Sequence, residues 1–156
     1  DAHVFIDKAE IQEEISKLLN MFDSCYKHFG FNNIKIGLST RPDKKVGDDS
    51  IWDLAEESLK NALDNSKHDY HINEGDGAFY GPKIDIQISD ALGRYFQLGT
   101  VQLDFNLPER FDLKFKNKEG HEERPVVLHR ALLGSLERFF GAVSYTHLTL
   151  PTTPYV

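Results

Sequence analysis

An α+β fold with a largely antiparallel sheet flanked by helices is predicted by three features of the sequence. Amphipathic helical patterns are grouped early and at the end of the chain. Between them, four or more strand patterns run consecutively, with turns rather than helices joining them. The 156 residues are most simply one domain, large enough to bury a core of its own.

The elements follow in order. Asp1-Ala2-His3-Val4-Phe5 opens in mid-pattern, and in an extended segment Asp1 and His3 share a face. Asp7 with Glu10 forms a capping-box pattern. Ile11, Ile15, Leu18, Leu19, Phe22 and Tyr26 then recur at helical spacing until Gly30 stops the helix. Met21 and Cys25 are read as packing residues of that helix. Ile34, Ile36 and Leu38 alternate as a strand. Ser39 to Asp49 is a connector whose Arg41 and lysines either face solvent or a ligand. A second helix spans Ile51 to Leu63, with Trp52, Leu54, Ala55, Leu59 and Leu63 on its apolar side and Glu56, Glu57 and Lys60 exposed.

Gly75 to Pro82 is a dense turn with three glycines and adjacent aromatics, but no Gly-Lys-Ser/Thr follows, so it is not a P-loop. It is either a plain strand connector or a loop that approaches a ligand closely while Tyr80 supplies a hydroxyl. From Lys83 to Ser89 the isoleucines alternate with Lys83, Asp85 and Gln87, giving a core face and either a solvent face or a polar site floor. Arg94 to Phe105 is a longer strand. Gln97 and Gln102 point to opposite faces of it unless a bulge intervenes, and Gly99 is the natural place for one. A turn at Asn106–Arg110, a short strand near Leu113–Phe115 and a charged hairpin tip around Gly120 follow.

The chain is organised around Val126–Gly141, VVLHRALLGSLERFFG. A short apolar run with β-branched valines passes through Gly134-Ser135 into a helical pattern, a buried strand feeding a helix through a tight joint. Ser135 as N-cap places Arg138 in the first helical turn. A helix N-terminus attracts anions, and an arginine there can add a forked, permanently charged phosphate clamp. From these residues alone the simpler reading, a solvated helix charge at Arg138 and a satisfied core histidine at His129, is favoured. His129 lies on the strand just before the joint. After Gly141 the pattern lapses, and residues 142–156 are read as a disordered or non-native tail, leaving 1–141 as the domain.

Composition narrows the function classes. With 40% apolar and 28% charged residues the chain is ordinary globular protein. No run approaches the ~20 apolar residues of a membrane helix, and no signal peptide is visible. The single cysteine, Cys25, excludes an internal disulfide framework and suits a reducing compartment. A formal charge of −7 argues against a basic nucleic-acid-binding face. The first residue is not Met, so the chain is read as an internal piece of a longer protein.

The runs DAHVF (1–5), LSTRP (38–42), GDGAFYGPKIDI (75–86), GTVQLDFNLPERF (99–111) and PVVLHRALLGSLERFFG (125–141) together resemble the catalytic core of the threonyl-tRNA synthetases, a class II aminoacyl-tRNA synthetase family. The resemblance covers nearly everything from Asp1 to Gly141, in the family's order. It implies a partial class II catalytic domain and the role of a threonine–tRNA ligase, which activates threonine with ATP and transfers it to tRNA. Arg138 matches the arginine of the third class motif that grips ATP phosphate. His3 and His129 match the two histidines that hold an active-site zinc with one cysteine. Three protein ligands with an open position is the pattern of a catalytic zinc, and in the family threonine completes the shell through its amino and hydroxyl groups. A site that must coordinate a hydroxyl rejects valine by roughly 10⁴ or more, which an apolar pocket cannot do.

By the same resemblance Asp1 accepts the threonine hydroxyl, Tyr80 and Gln102 surround the amino acid, and Lys83 lies on the same floor in a catalytic role. Gln97 and Thr100 match positions around ATP, which brings Mg²⁺. The implied partners are threonine, ATP and threonine tRNA, the last mainly through other domains, in a cytoplasmic homodimer without membrane contact. The sequence departs from the family in two ways. The zinc cysteine and the second-motif arginine match nothing here and are expected upstream of Asp1, since Cys25 sits on an apolar helix. The isolated chain is therefore expected to be inactive. The alternative is a synthetase-like protein that binds an amino acid or nucleotide without aminoacylating. The retained polar set weighs against it.

Overall fold

The computed structural model describes residues 1–90 and 92–147. A six-stranded sheet is formed by β1 (Ala2–Ile6), β2 (Ile34–Ser39), β3 (Tyr70–Asn73), β4 (Lys83–Ser89), β5 (Tyr95–Asp104) and β8 (Val126–Ala131), in the order β1-β8-β5-β4-β2-β3. Every neighbouring pair is antiparallel except β2 and β3. A small separate hairpin joins β6 (Phe115–Lys116) to β7 (Glu122–Glu123), turning at Gly120 with φ 85°. The α+β expectation holds, with one parallel pair added.

That pair has a local cause. Strand β2, helix α2 (Asp49–Asp64) and strand β3 form one β-α-β crossover, which returns the chain parallel to its start. Strand β3 has four residues and buries none of them, so it left no periodic signal in the sequence.

Helices α1 (Ile11–His28) and α2 cover one face of the sheet. Ile15, Leu19, Phe22 and Tyr26 of α1, with Leu59, Ala62 and Leu63 of α2, form a single core with Ile84, Ile86, Ile88, Val101 and Leu103. Each large side chain so buried contributes about 1.5–3 kcal/mol. The predicted capping box opens the segment: Asp7 accepts from the Ala9 amide at 2.9 Å and Glu10 reaches back to the Asp7 amide at 3.4 Å. Gly30, at φ 78°, closes it. The bulge required between Gln97 and Gln102 is present: Ile86 pairs with Gly99 and Gln87 with Gln97, leaving Leu98 as the extra residue. A Cβ at Gly99 would stand 2.5 Å from the Tyr26 hydroxyl and 2.6 Å from the Phe22 ring, so the glycine lets α1 lie close.

Two local readings change. Leu54 is 47% exposed, because the buried stripe of α2 runs through Trp52, Ala55, Leu59, Ala62 and Leu63. Arg41, on the connector, is paired with α2: Glu56 accepts from its backbone N–H at 2.7 Å and from its guanidinium at 3.1 and 2.7 Å, and Asp53 takes a further bond at 2.5 Å. The forked pair is partly exposed, so it is worth little more than a good surface ion pair. Glu56→Ala is expected to lower stability by about 1 kcal/mol. The urea midpoint of the chain, read from the fluorescence of its one tryptophan, Trp52, checks this.

At the C-terminal end, helix α4 (Leu136–His147) runs past the expected boundary at Gly141. Phe139 packs edge-on against Phe29 at 4.9 Å and reaches Phe31 at 6.2 Å, while Ala142 is buried. The remainder of the expected tail, residues 148–156, lies outside the described residues. Among the described residues no helix is long and apolar enough to cross a membrane.

Candidate active site

The face of the sheet opposite α1 and α2 carries the polar residues, and strand register alone brings most of them together. His3 pairs with His129, His129 with Gln102, Gln102 with Lys83 and Lys83 with Ser39, a continuous row across five strands. Neighbouring strands lie ~4.8 Å apart, so residues distant in sequence become lateral neighbours. A second row, two positions along, contains Thr100 and Asp85 as direct partners. The Leu98–Gly99 bulge turns Gln97 onto the same face, where its Nε2 donates to Asp85 Oδ1 at 2.5 Å.

The floor is tied together by Asp85, which is only 3% exposed. It accepts from Ser39 Oγ at 2.8 Å and Thr100 Oγ1 at 3.2 Å, and Lys83 Nζ lies 3.1 Å from its Oδ2. Asp76, from the glycine-rich turn, approaches the same ammonium at 3.6 Å. That turn folds closely over the chain itself: a Cβ at Gly77 would meet the Thr40 carbonyl oxygen at 2.5 Å, and one at Gly81 would run into that of Leu103. The glycines thus serve backbone–backbone contact and place Tyr80, whose hydroxyl donates to Gln102 Oε1. Burial, with the nearby Asp104 carboxylate, pushes the Tyr80 phenol above its ordinary range, so it remains a proton donor.

His3 and His129 come together edge to face, with ring centroids 4.9 Å apart, and the Tyr80 ring lies 5.3 Å from that of His129. His129 Nε2 is 2.8 Å from Oδ2 of Asp104, which is fully buried. Its other oxygen accepts from the Asn106 and Leu107 amides at 2.8 and 3.0 Å, capping the short helix α3 (Asn106–Arg110). A carboxylate only accepts, which assigns the His129 proton to Nε2 and leaves the Nδ1 lone pair for a ligand. Neither Asp104 nor Asp85 was singled out from the sequence. The available signal was the period of two that puts Asp104 in line with Gln102 and Asp85 in line with Lys83.

The strand–helix joint has the geometry expected of it. Gly134 takes φ 65° with its Cα against the Leu98 backbone, and Ser135 Oγ accepts from the Arg138 amide at 3.2 Å. Arg138 is exposed in the first turn of α4, and its Nη1 donates to the Gln97 carbonyl at 3.1 Å. Gln97, Thr100 and Arg138 therefore gather at one end of the floor, and His3, His129, Tyr80 and Gln102 at the other, with Lys83 and Asp85 between. Asp1 lies exposed immediately before β1, one residue ahead of the Ala2–Arg130 pair. Cys25 is on α1, on the core side of the sheet. No group of three His, Cys, Asp or Glu suited to a metal occurs among the described residues.

An antiparallel sheet with helices on one face and a polar, arginine-edged floor on the other defines a class II synthetase core. The chain belongs to the tRNA synthetase class II core domain family (G, H, P, S and T), whose profile matches residues 1–147. Within that family, relatives it matches at about half identity are named threonine–tRNA ligases. It is 52% identical over 144 residues to the threonine–tRNA ligase of Parasynechococcus marenigrum, covering 92% of this chain and 24% of that protein. It is 51% identical over 141 residues to that of Magnetococcus marinus, covering 90% and 22%. The RNA binding domain of threonyl-tRNA synthetase from Cryptosporidium parvum superposes with a TM-score of 0.87 at 46% identity, over 92% of this chain and 36% of that one. A putative threonyl-tRNA synthetase from Aeropyrum pernix gives 0.77 at 30% identity, over 91% and 34%. The chain spans about a quarter of the length of the curated relatives it matches.

Proposed function

We propose that the chain forms the central and C-terminal part of a threonine–tRNA ligase active site. The observation that carries this is the single row His3–His129–Gln102–Lys83, flanked further along β5 by Thr100 and Gln97, where Arg138 joins it. In the first step the threonine carboxylate attacks the ATP α-phosphate in line, giving threonyl-adenylate and pyrophosphate. The ribose hydroxyl at the tRNA 3′ end then attacks the threonyl carbonyl, forming the ester as the acyl–phosphate bond breaks and AMP leaves. This chemistry is served by positioning and charge neutralisation more than by proton transfer. Tyr80 and Gln102 orient the amino acid, Lys83 neutralises charge between the two substrates, Gln97 and Thr100 bound the nucleotide, and Arg138 holds phosphate, with Mg²⁺ arriving on ATP.

The donor set fits zinc as two of three protein ligands. His3 and His129 are adjacent, and a buried carboxylate orients His129 as it does in many zinc sites. The third, a cysteine, is proposed to lie upstream of Asp1, as is the second arginine that would hold ATP. When bound, zinc would supply a Lewis-acidic position that selects a hydroxyl-bearing amino acid. Asp1 is proposed to reach the threonine hydroxyl once the chain before it is in place. The setting proposed is a cytoplasmic homodimer.

Threonine-dependent ATP–pyrophosphate exchange by the full-length protein tests this reading, with valine and serine as competitors. Chain 1–156 alone is expected to bind zinc weakly and to show no exchange. Measurable threonine-dependent exchange by the short chain would refute the claim that essential ligands lie upstream.

A further inference from the structure

The Asp85 carboxylate is the point where the two ends of the floor meet. Its Oδ1 accepts from Gln97 and Thr100, at 2.5 and 3.2 Å, both on the nucleotide side. Its Oδ2 accepts from Ser39 at 2.8 Å and pairs with Lys83 at 3.1 Å, in the row that contains Gln102 and the histidines. The side chain of Asp85 is 4% exposed, whereas Asp76, the other carboxylate near Lys83, is 65% exposed. The buried anion therefore sets where the ammonium sits. Through the Gln97 backbone the chain of contacts continues to Arg138.

Burying a carboxylate is costly unless its oxygens are fully bonded, and here each takes two partners. Its sequence neighbours Ile84 and Ile86 face the helix-covered core on the other side of the sheet, so Asp85 is not part of that core. The polar partners of Asp85 all belong to the site or its rim. We propose that Asp85 is a positioning residue that couples the amino-acid half of the floor to the nucleotide half. It holds Lys83, Gln97 and Thr100 at fixed separations before either substrate arrives, without touching the reacting atoms. Preorganisation of this kind is sensitive to displacements of about an ångström.

This inference rests on the threonine–tRNA ligase reading, and the test separates the two. In the full-length protein, Asp85→Asn keeps an acceptor for Gln97 or Thr100 but loses the charge that holds Lys83. It is expected to raise KM for both ATP and threonine in pyrophosphate exchange and to cut kcat/KM by about 10–100-fold. Combining it with Lys83→Ala should cost less than the sum of the single changes, as contacting residues do. Ser39→Ala, which removes one partner of Oδ2 and a longer contact to Asp76 at 3.4 Å and touches no substrate, is expected to raise KM for threonine a few-fold and that for ATP by less. Should Asp85→Asn fail to fold, this side-specific shift decides the matter, because a merely structural carboxylate would move Tm and neither KM. Unchanged KM values in both variants, or strict additivity with Lys83→Ala, overturns the coupling. Absence of threonine-dependent exchange in the unaltered full-length protein overturns the underlying function, and the inference with it.

Discussion

Arg138→Ala is expected to reduce kcat for threonine-dependent pyrophosphate exchange in the full-length protein by roughly 10²–10³-fold, the usual consequence of removing one preorganised charge-stabilising donor. The guanidinium stands in the first turn of α4, where helix dipole and free amides already favour an anion. It is exposed, and among the described residues its guanidinium bonds at one point, Nη1 on the Gln97 carbonyl, which leaves further N–H groups to offer a phosphate. An exposed side chain held by one contact contributes little to folding. Stability should therefore stay within about 0.5 kcal/mol of the unaltered protein. Arg138→Lys keeps the charge and loses the fork, and its rate should fall between the two. Exchange kinetics with Tm on the same samples settle the point; an unimpaired kcat in the alanine variant would remove Arg138 from the phosphate site.

The parts of this molecule that a sequence reader can find are those with short-range logic. Ser135 capping the turn that carries Arg138 follows from local chemistry, and the structure shows the bond. The Leu98–Gly99 bulge follows from parity: two glutamines five positions apart can share a face only if one residue is looped out. What escapes is contact set by register. His3 and His129 are separated by most of the chain, and their meeting rests on β1 pairing with β8 in one register among several. From residues alone each is an unremarkable histidine, and only the resemblance of whole runs to a known family paired them. Strand β3 escaped for a different reason: it is short, buries no residue and pairs parallel through a crossover.

Asp85 and Asp104 escaped because an acidic residue in a strand is normally a solvent-facing one. Asp85 sits in KIDIQIS, where alternation correctly puts it opposite the isoleucines. Alternation reports which face a side chain takes, not what waits there. The polar face is a hydrogen-bonded floor rather than water, and four partners bury the carboxylate. Asp1 shows the converse limit: its match to the family is local, and among the described residues it lies exposed just before β1.

Asp104→Asn is expected to lower zinc affinity of the full-length protein by about 10–100-fold while leaving the fold nearly intact. The two oxygens of Asp104 do separate work. Oδ1 caps α3 by accepting from Asn106 and Leu107, and an asparagine oxygen of the same shape can keep those bonds. Oδ2 takes the His129 Nε2 proton at 2.8 Å. Asparagine would present an N–H there, and two donors cannot share that contact, so His129 would shift its proton to Nδ1, the nitrogen otherwise left for metal. The expected stability loss is about 1 kcal/mol, one charge-assisted bond exchanged for a neutral one. Asp104→Ala is the less informative change, because it also removes the acceptor of the Asn106 and Leu107 amides. Competition with a chelator of known zinc affinity measures the asparagine variant directly, independently of any turnover. Wild-type zinc binding by Asp104→Asn would show that His129 does not offer Nδ1 to the metal, and the proposed zinc site would have to be rebuilt around a different nitrogen.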